Sequence, residues 1–340
     1  MKVAIGSKFT DKPWGGGNLF VQNLSEYLLK NGVEVVFNLG SKDIDTILLF
    51  DPRKDSKYAT FDHHDIQYYK NNINNNVKVI HRINECDERK GTEGVNDFYI
   101  NANECADYTV FVSKWLEEIY KKHGFETQSL VIKAGANKKI FNLDGRANMN
   151  KSRSINIVTH HWGNNWNKGF DTYTLLDEMV GKEINGKKIN FTYIGNMPDN
   201  YRFKNSKHIK PLSGANLANE LKKNHIYVTG SLNEPSGNHH IEAAQCGLPL
   251  LYIRSGGIPE YCEGYGVEFE NNNLFEKLEK LVNSYDFYFD KVVNYENSAE
   301  IMSKQFLSLF QNLKGFYKNK KLKINDYYFL VKQRAKYYLI

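Results

Sequence analysis

Residues 225–260 read HIYVTGSLNEPSGNHHIEAAQCGLPLLYIRSGGIPE. His225–Val228 is a short β-branched run, the signature of a strand. Glu234 stands just before Pro235–Ser236–Gly237, a turn that opens a helix running to Cys246. Gly247 caps that helix and Pro249 begins the strand Pro249–Ile253. Strand, turn, helix and strand in series is the repeating piece of a parallel sheet covered by helices on both faces. In such sheets ligands sit beyond the carboxyl ends of the strands, where helix N-termini present N–H groups. The N–H groups near Gly237, Asn238 and His239 therefore suit a phosphate or a sugar hydroxyl, and Glu242, one turn further in, suits a ribose diol.

The same rhythm extends in both directions. Val3–Ile5 reads as a strand, followed by Trp14–Gly15–Gly16–Gly17 and a helix whose apolar Leu19, Phe20, Leu24, Tyr27 and Leu28 recur at 3.6-residue spacing. Asn31–Gly32 stops it, and Val33–Phe37, Ile47–Phe50, Val77–Ile80, Thr109–Val112 and Leu130–Ile132 supply further strands. From Asn142 to Ser154 the chain is polar and aperiodic, as a linker is. The pattern then restarts with Ile155–Thr159, a helix from Asp171, Asn190–Ile194 and, past the opening stretch, Val267–Phe269. The expected fold class is α/β, two Rossmann-like parallel-sheet domains facing across a cleft, over residues 1–145 and 150–315. A helical tail, 316–340, could pack back on the first domain. Such a cleft favours a cofactor-sized site.

Composition narrows the classes of function. The 340 residues are 41% hydrophobic and 25% charged, which excludes a disordered chain. Apolar runs such as Thr46–Phe50 and Leu248–Ile253 are too short to cross a bilayer. Met1 enters a strand at once, leaving no room for a signal peptide, so a soluble cytoplasmic protein is expected. Cys86, Cys105, Cys246 and Cys262 have no CxxC spacing and read as reduced thiols. The net charge of +6 is weak evidence for an anionic partner. Basic residues read as dispersed and without interleaved aromatic platforms, which argues against nucleic acid. The run Lys314–Lys323 reads as a solvated helix face or linker, with membrane-surface attraction the minority reading.

Two glutamates with seven residues between them, Glu234 and Glu242, lie on this loop–helix frame with Pro235, Gly237, Gly247–Leu248–Pro249 and Gly256–Gly257–Ile258–Pro259–Glu260 in order. The sequence resembles glycosyltransferase family four, retaining enzymes of GT-B type. The resemblance implies further site residues. Gly16 and Gly17 match the family's amino-terminal glycine loop, where the backbone approaches a diphosphate. His81, in the polar run His81–Lys90 after Val77–Ile80, matches a histidine that touches the donor sugar. Lys168–Gly169 matches the second half of a cationic pair that holds the donor diphosphate. The first half, an arginine, is missing: Trp162 or Asn164 stands in its place, so His160, His161 or backbone amides would complete the clamp. Leu212 matches the backbone contact to the base.

Within that resemblance Glu234 would hold hydroxyls of the transferred sugar and Glu242 the ribose. Lys168 and the helix N–H groups would stabilise charge on the leaving diphosphate. No protein base is assigned, since the leaving phosphate can take the acceptor proton. No cofactor or metal is expected. Asp43–Ile44–Asp45 looks like a metal-binding DxD but runs straight into a strand. His63–His64, His160–His161 and His239–His240 are adjacent pairs, which on a strand point to opposite faces. The expected partners are a nucleotide sugar (GDP-mannose favoured, a UDP-hexose second) and a glycan, glycolipid or glycoprotein acceptor entering from the first domain. A homodimer and peripheral membrane contact stay open. A sugar-nucleotide epimerase or phosphorylase on the same frame, and a non-catalytic nucleotide-sugar or glycan-binding protein, are the alternatives.

Overall fold

The computed structural model describes residues 1–8, 16–54, 56, 58–313, 315 and 321–339, the last three by backbone alone. The loop residues Trp14 and Gly15 lie outside them. The chain divides into two compact units, Met1–Lys133 with Glu300–Ile340, and Ala134–Ala299.

The first unit carries β1 (Lys2–Ile5), β2 (Glu34–Val36), β3 (Thr46–Leu49), β4 (Lys78–Ile83), β5 (Tyr108–Phe111) and β6 (Ser129–Val131). They lie in the order β2-β1-β3-β4-β5-β6, every neighbouring pair parallel. The order reverses between β1 and β3, so the switch point lies there. The second unit carries β7 (Ser154–His161), β8 (Glu183–Ile184), β9 (Lys187–Gly195), β10 (Lys207–Ile209), β11 (Ile226–Thr229), β12 (Leu250–Ile253) and β13 (Gly266–Phe269). Its order is β10-β9-β7-β11-β12-β13, all parallel, with β8 added antiparallel to β9. Renumbered from β7 this is 3-2-1-4-5-6, the dinucleotide-binding order, with its switch point between β7 and β11. Both sheets are thus Rossmann-like, as the strand–helix alternation predicts.

Each sheet is buried on both faces, and side chains alternate between two layers with period two. Along β11, Ile226 and Val228 enter one layer and Tyr227 the other; along β12, Leu251 enters the first while Leu250 and Tyr252 enter the second. In the first unit Val3 and Ile5 oppose Ala4, and Leu48 opposes Ile47 and Leu49. Fully burying each such aliphatic side chain contributes about 1.5–3 kcal/mol.

The units exchange chain earlier than the polar stretch 142–154 suggests. Ala134, Ala136 and Phe141 are already buried in the second unit's core. The chain returns at Glu300, because Met302, Phe306, Leu307, Leu309 and Phe310, on the helix Ala299–Leu313, fill a first-unit layer. The last helix, Ile324–Leu339, also packs on the first unit, through Leu330 and a stacked Tyr68–Phe329 pair at 4.4 Å. All four cysteines are buried free thiols. Among the described residues no helix is long and apolar enough to cross a membrane.

Candidate functional site

The carboxyl ends of β7 and β11 flank the second unit's switch point, and two loops leave from them. After β7 the chain passes through a short turn, Trp166–Lys168, then Gly169 and the helix Phe170–Met179. After β11 comes Gly230 to Gly237 and the helix Asn238–Gln245. Glycine lets the two loops touch. Gly169 has φ +105°, and a Cβ there would lie 2.6 Å from the Gly230 carbonyl carbon. One backbone and one side-chain bond seal the contact: Leu232 N–H donates to the Asn167 carbonyl at 2.8 Å, and Ser231 Oγ–H to the Lys168 carbonyl at 3.2 Å.

This contact brings Lys168 and Glu234, 66 positions apart, to 2.5 Å between Nζ and Oε2. The side chains are 13% and 7% exposed, so the pair is largely withdrawn from water. Glu234 is held from the other side by the loop after β12. The Gly257 N–H donates to the Glu234 carbonyl at 2.9 Å, and the Asn233 N–H to Ser255 Oγ at 2.8 Å. Gly256, at φ +62°, would place a Cβ 2.5 Å from the Glu234 carbonyl oxygen, which is why that motif needs glycine.

The helix Asn238–Gln245 starts at Gly237, whose φ of +68° and crowding by the His239 and His240 rings exclude a side chain. Gly237 has no side chain to cap this N-terminus and no other described side chain does so, so Asn238 and His239 present first-turn N–H groups there. At the other end Gly247 N–H donates to Ala244 and Leu248 N–H to Ala243, a Schellman close that fulfils the cap reading of Gly247. Glu242 is buried, and its Oε2 lies 2.9 Å from His160 Nε2. That bond ties the helix to β7.

The strand β7 runs to His161, two residues past the expected end at Thr159, so both histidines are strand residues with side chains held in the second unit. His160 is engaged by Glu242. His161 is fully buried with Nε2 2.5 Å from the Tyr173 hydroxyl, and burial with the nearby Lys168 charge pushes it well below the usual imidazole range. A neutral ring of this kind cannot serve as the second cation of a phosphate clamp. The pairs His63–His64 and His239–His240 lie on helices rather than strands. His239 turns inward to Thr229 Oγ1 at 2.9 Å, so burial holds it well below its ordinary value, and His240 is pushed down to about 3 by burial. His161 and His239 come within 4.5 Å, ring to ring. Among the described residues no group of three His, Cys, Asp or Glu is arranged for a metal.

Leu212 is half-buried in the second unit, between β10 and the helix Gly214–Leu221. The sequence named Trp162 only as standing in the place of the missing arginine and gave Trp166 no role. Trp162 and Trp166 are both about half exposed on the loop after β7. Trp166 is fixed by Nε1 donating to Asp171 at 2.8 Å, and Gly163, beside Trp162, packs along the Lys168 stem.

In the first unit, β4 continues through His81 and Arg82 to Ile83, so His81 is a strand residue rather than part of the following loop. It is completely buried. Nδ1 lies 2.9 Å from Asn103 Oδ1, which also accepts from Thr109 Oγ1, while Asn103 Nδ2 donates to Thr127. That network makes Nδ1 the donor and leaves Nε2, which has no partner among the described residues, as an acceptor. Burial pushes His81 down to about 4. Gly16 opens the helix Gly16–Lys30 and is exposed, while a Cβ on Gly17 would meet the Phe50 ring at 2.8 Å. Arg82, which the sequence did not single out, lies 4.0 Å over the Phe20 ring at the same edge. Asp43 and Asp45 bind the ammonium and backbone of Lys2 at the opposite, amino end of the strands.

No family model matches the chain, and no curated protein matches it. Solved structures do. Sucrose-phosphate synthase from Thermosynechococcus elongatus is 16% identical over 92% of this chain and 98% of its own, with a TM-score of 0.65. HepE of Anabaena in complex with UDP-glucose is 12% identical over 92% and 100%, at 0.66. WaaG, a glycosyltransferase involved in lipopolysaccharide biosynthesis, is 11% identical over 91% and 99%, at 0.61. At such identities the likeness is one of fold: the chain has the GT-B fold of two Rossmann-like domains.

Proposed function

We propose that the protein is a retaining glycosyltransferase that moves a hexose from a nucleotide-diphosphate sugar to a glycan, glycolipid or glycoprotein acceptor. The observation that carries this reading is the Lys168–Glu234 pair, set at the switch point of a dinucleotide-type sheet beside the Gly237-led N-terminus of the helix Asn238–Gln245. A diphosphate arriving there meets the Lys168 ammonium and the N–H groups of Asn238 and His239. As it takes over Lys168, that one ion pair opens and Glu234 Oε2 turns to accept from hydroxyls of the sugar. In the transition state the sugar gains oxocarbenium character and the diphosphate gains charge. Donors fixed in advance at the diphosphate lower that barrier, by about 3 kcal/mol each.

His160 occupies one oxygen of Glu242 and leaves the other to accept from a ribose hydroxyl. In the first unit, taken by itself, His81 Nε2 has no partner among the described residues and suits a hydroxyl donor. The missing arginine makes the clamp of this unit depend on Lys168 and backbone amides. HepE is described in complex with UDP-glucose, which makes a UDP-hexose the first donor to assay and GDP-mannose the second. The single lysine also suits a non-catalytic nucleotide-sugar-binding protein, which would bind donor and transfer nothing.

Calorimetric titration with nucleotide sugars, on the wild type and on Lys168→Ala and Glu242→Ala, tests the reading. Both variants are expected to lose nucleotide affinity. Unchanged affinity in both would remove the site. Binding without release of nucleoside diphosphate across an acceptor panel would favour the non-catalytic alternative.

A further inference from the structure

Charge is distributed unevenly along this chain. The segment Lys314–Ile340 holds eight Lys or Arg and a single acid, Asp326, a charge of +7, so the other 313 residues sum to −1. The basicity of the protein is a property of its last 27 residues.

The helix Ile324–Leu339 in that segment is docked on the first unit by one face. Asp326 is buried there and accepts from the Tyr68 hydroxyl at 3.1 Å, Arg334 donates to the Gly40 carbonyl at 2.8 Å, and Lys336 pairs with Asp65 at 2.9 Å. Leu330 and Gln333 are buried on the same side. The opposite face is apolar and open to water. Ile324, Tyr327, Tyr328 and Val331 recur at i, i+3, i+4 and i+7 and are 87%, 58%, 70% and 64% exposed. Exposed Lys332 lies beside this stripe, and exposed Lys321 and Lys323 precede it. The only acid of the segment faces inward.

We propose that this helix lies along an anionic lipid bilayer, its apolar stripe entering the headgroup boundary and its lysines meeting lipid phosphates. An open stripe of aliphatic and tyrosine side chains, flanked by cations and with no acid on its face, is the composition of an interfacial helix. Charge complementarity selects the occupant. A second copy of the chain would bring the same positive segment against itself, and a nucleic acid would leave Ile324 and Val331 without an apolar partner. Each cation near an anionic surface strengthens attachment by about fivefold. The proposal stands on this face alone, independent of the assignment at Lys168 and Glu234.

Co-sedimentation of the full chain with phosphatidylcholine vesicles, plain or containing phosphatidylglycerol, tests it. The wild type is expected to pellet with the anionic vesicles, to stay in solution with the neutral ones, and to be released in about 0.5 M salt. Tyr328→Glu and Val331→Glu should each weaken attachment at least about tenfold, and Lys332→Glu about fivefold or more. Their circular dichroism should match the wild type because the side chains are exposed. Failure of the wild type to pellet, or variants that pellet as well as it does, would overturn the proposal. So would stripe variants that turn a dimer into a monomer in light scattering, or a wild type that prefers an oligonucleotide to the vesicles.

Discussion

Replacing Lys168 with methionine removes the ammonium while keeping most of the stem that Gly163 packs along. The carboxylate of Glu234 then stays in place, 7% exposed, without the cation 2.5 Å away. Breaking a buried pair from one side costs about 3–5 kcal/mol, because an uncompensated charge is left in a poorly solvated place. Both side chains keep some exposure, so the low end, about 3 kcal/mol, is the expected loss. For a unit of this size that is about 6–12 °C of melting temperature. Glu234→Gln should cost less, since the ammonium sits on the longer, more exposed side chain. The double variant Lys168→Met/Glu234→Gln should recover much of the loss, with a coupling of about 2 kcal/mol or more. Thermal unfolding of the wild type and the three variants, followed by circular dichroism, measures it. Additive losses, or a Lys168→Met melting point within about 1 °C of wild type, would refute a desolvated pair and with it the idea that diphosphate binding opens that pair.

Other consequences follow from the same structure. His161, His239 and His240 are buried neutral, with folded-state values below the unfolded 6.5, so the unfolded chain binds more protons between those values. Stability is complete above pH 6.5 and is lost as pH falls towards 3, by about 1.4 kcal/mol per pH unit for each histidine; a melting temperature flat from pH 7 to 4 would contradict this. Gly169→Ala places a Cβ 2.6 Å from the Gly230 backbone at a positive φ, and should destabilise by about 2 kcal/mol or more and lower donor affinity in calorimetry. The buried thiols Cys86, Cys105 and Cys246 are pushed up to about 12 by burial, so a thiol reagent at neutral pH should label them only after denaturation. Rapid labelling of the native chain would show that these layers open.

Strand order was not readable from residues, but strand existence was, because β-branched runs bounded by glycine and asparagine mark buried parallel strands. Boundaries failed where polar residues continue a strand. His81, Arg82, His160 and His161 look like the start of loops, yet each belongs to a strand. The histidines are accommodated by partners far along the chain: Asn103, Glu242 and Tyr173. Local hydropathy cannot show such partners. The same limit applies at the site. Lys168 and Glu234 could each be picked from motif context, but nothing in their spacing shows that two glycines let their loops close. The glycines 256 and 257 were visible as a pattern, whereas their role, holding the Glu234 carbonyl, required coordinates. The exposed face of the last helix shows the opposite case. Its i, i+3, i+4 and i+7 periodicity is plain in the sequence, but the same period would describe a buried stripe, and only the docking of Asp326, Leu330 and Gln333 shows which face is turned outward.

The most direct measurement is crystallographic difference density for UDP or GDP soaked into the protein. The account predicts a diphosphate within hydrogen-bonding reach of Lys168 Nζ and the Asn238 and His239 N–H groups, with the ribose at Glu242. A nucleotide bound elsewhere, with the Lys168–Glu234 pair untouched, would contradict it.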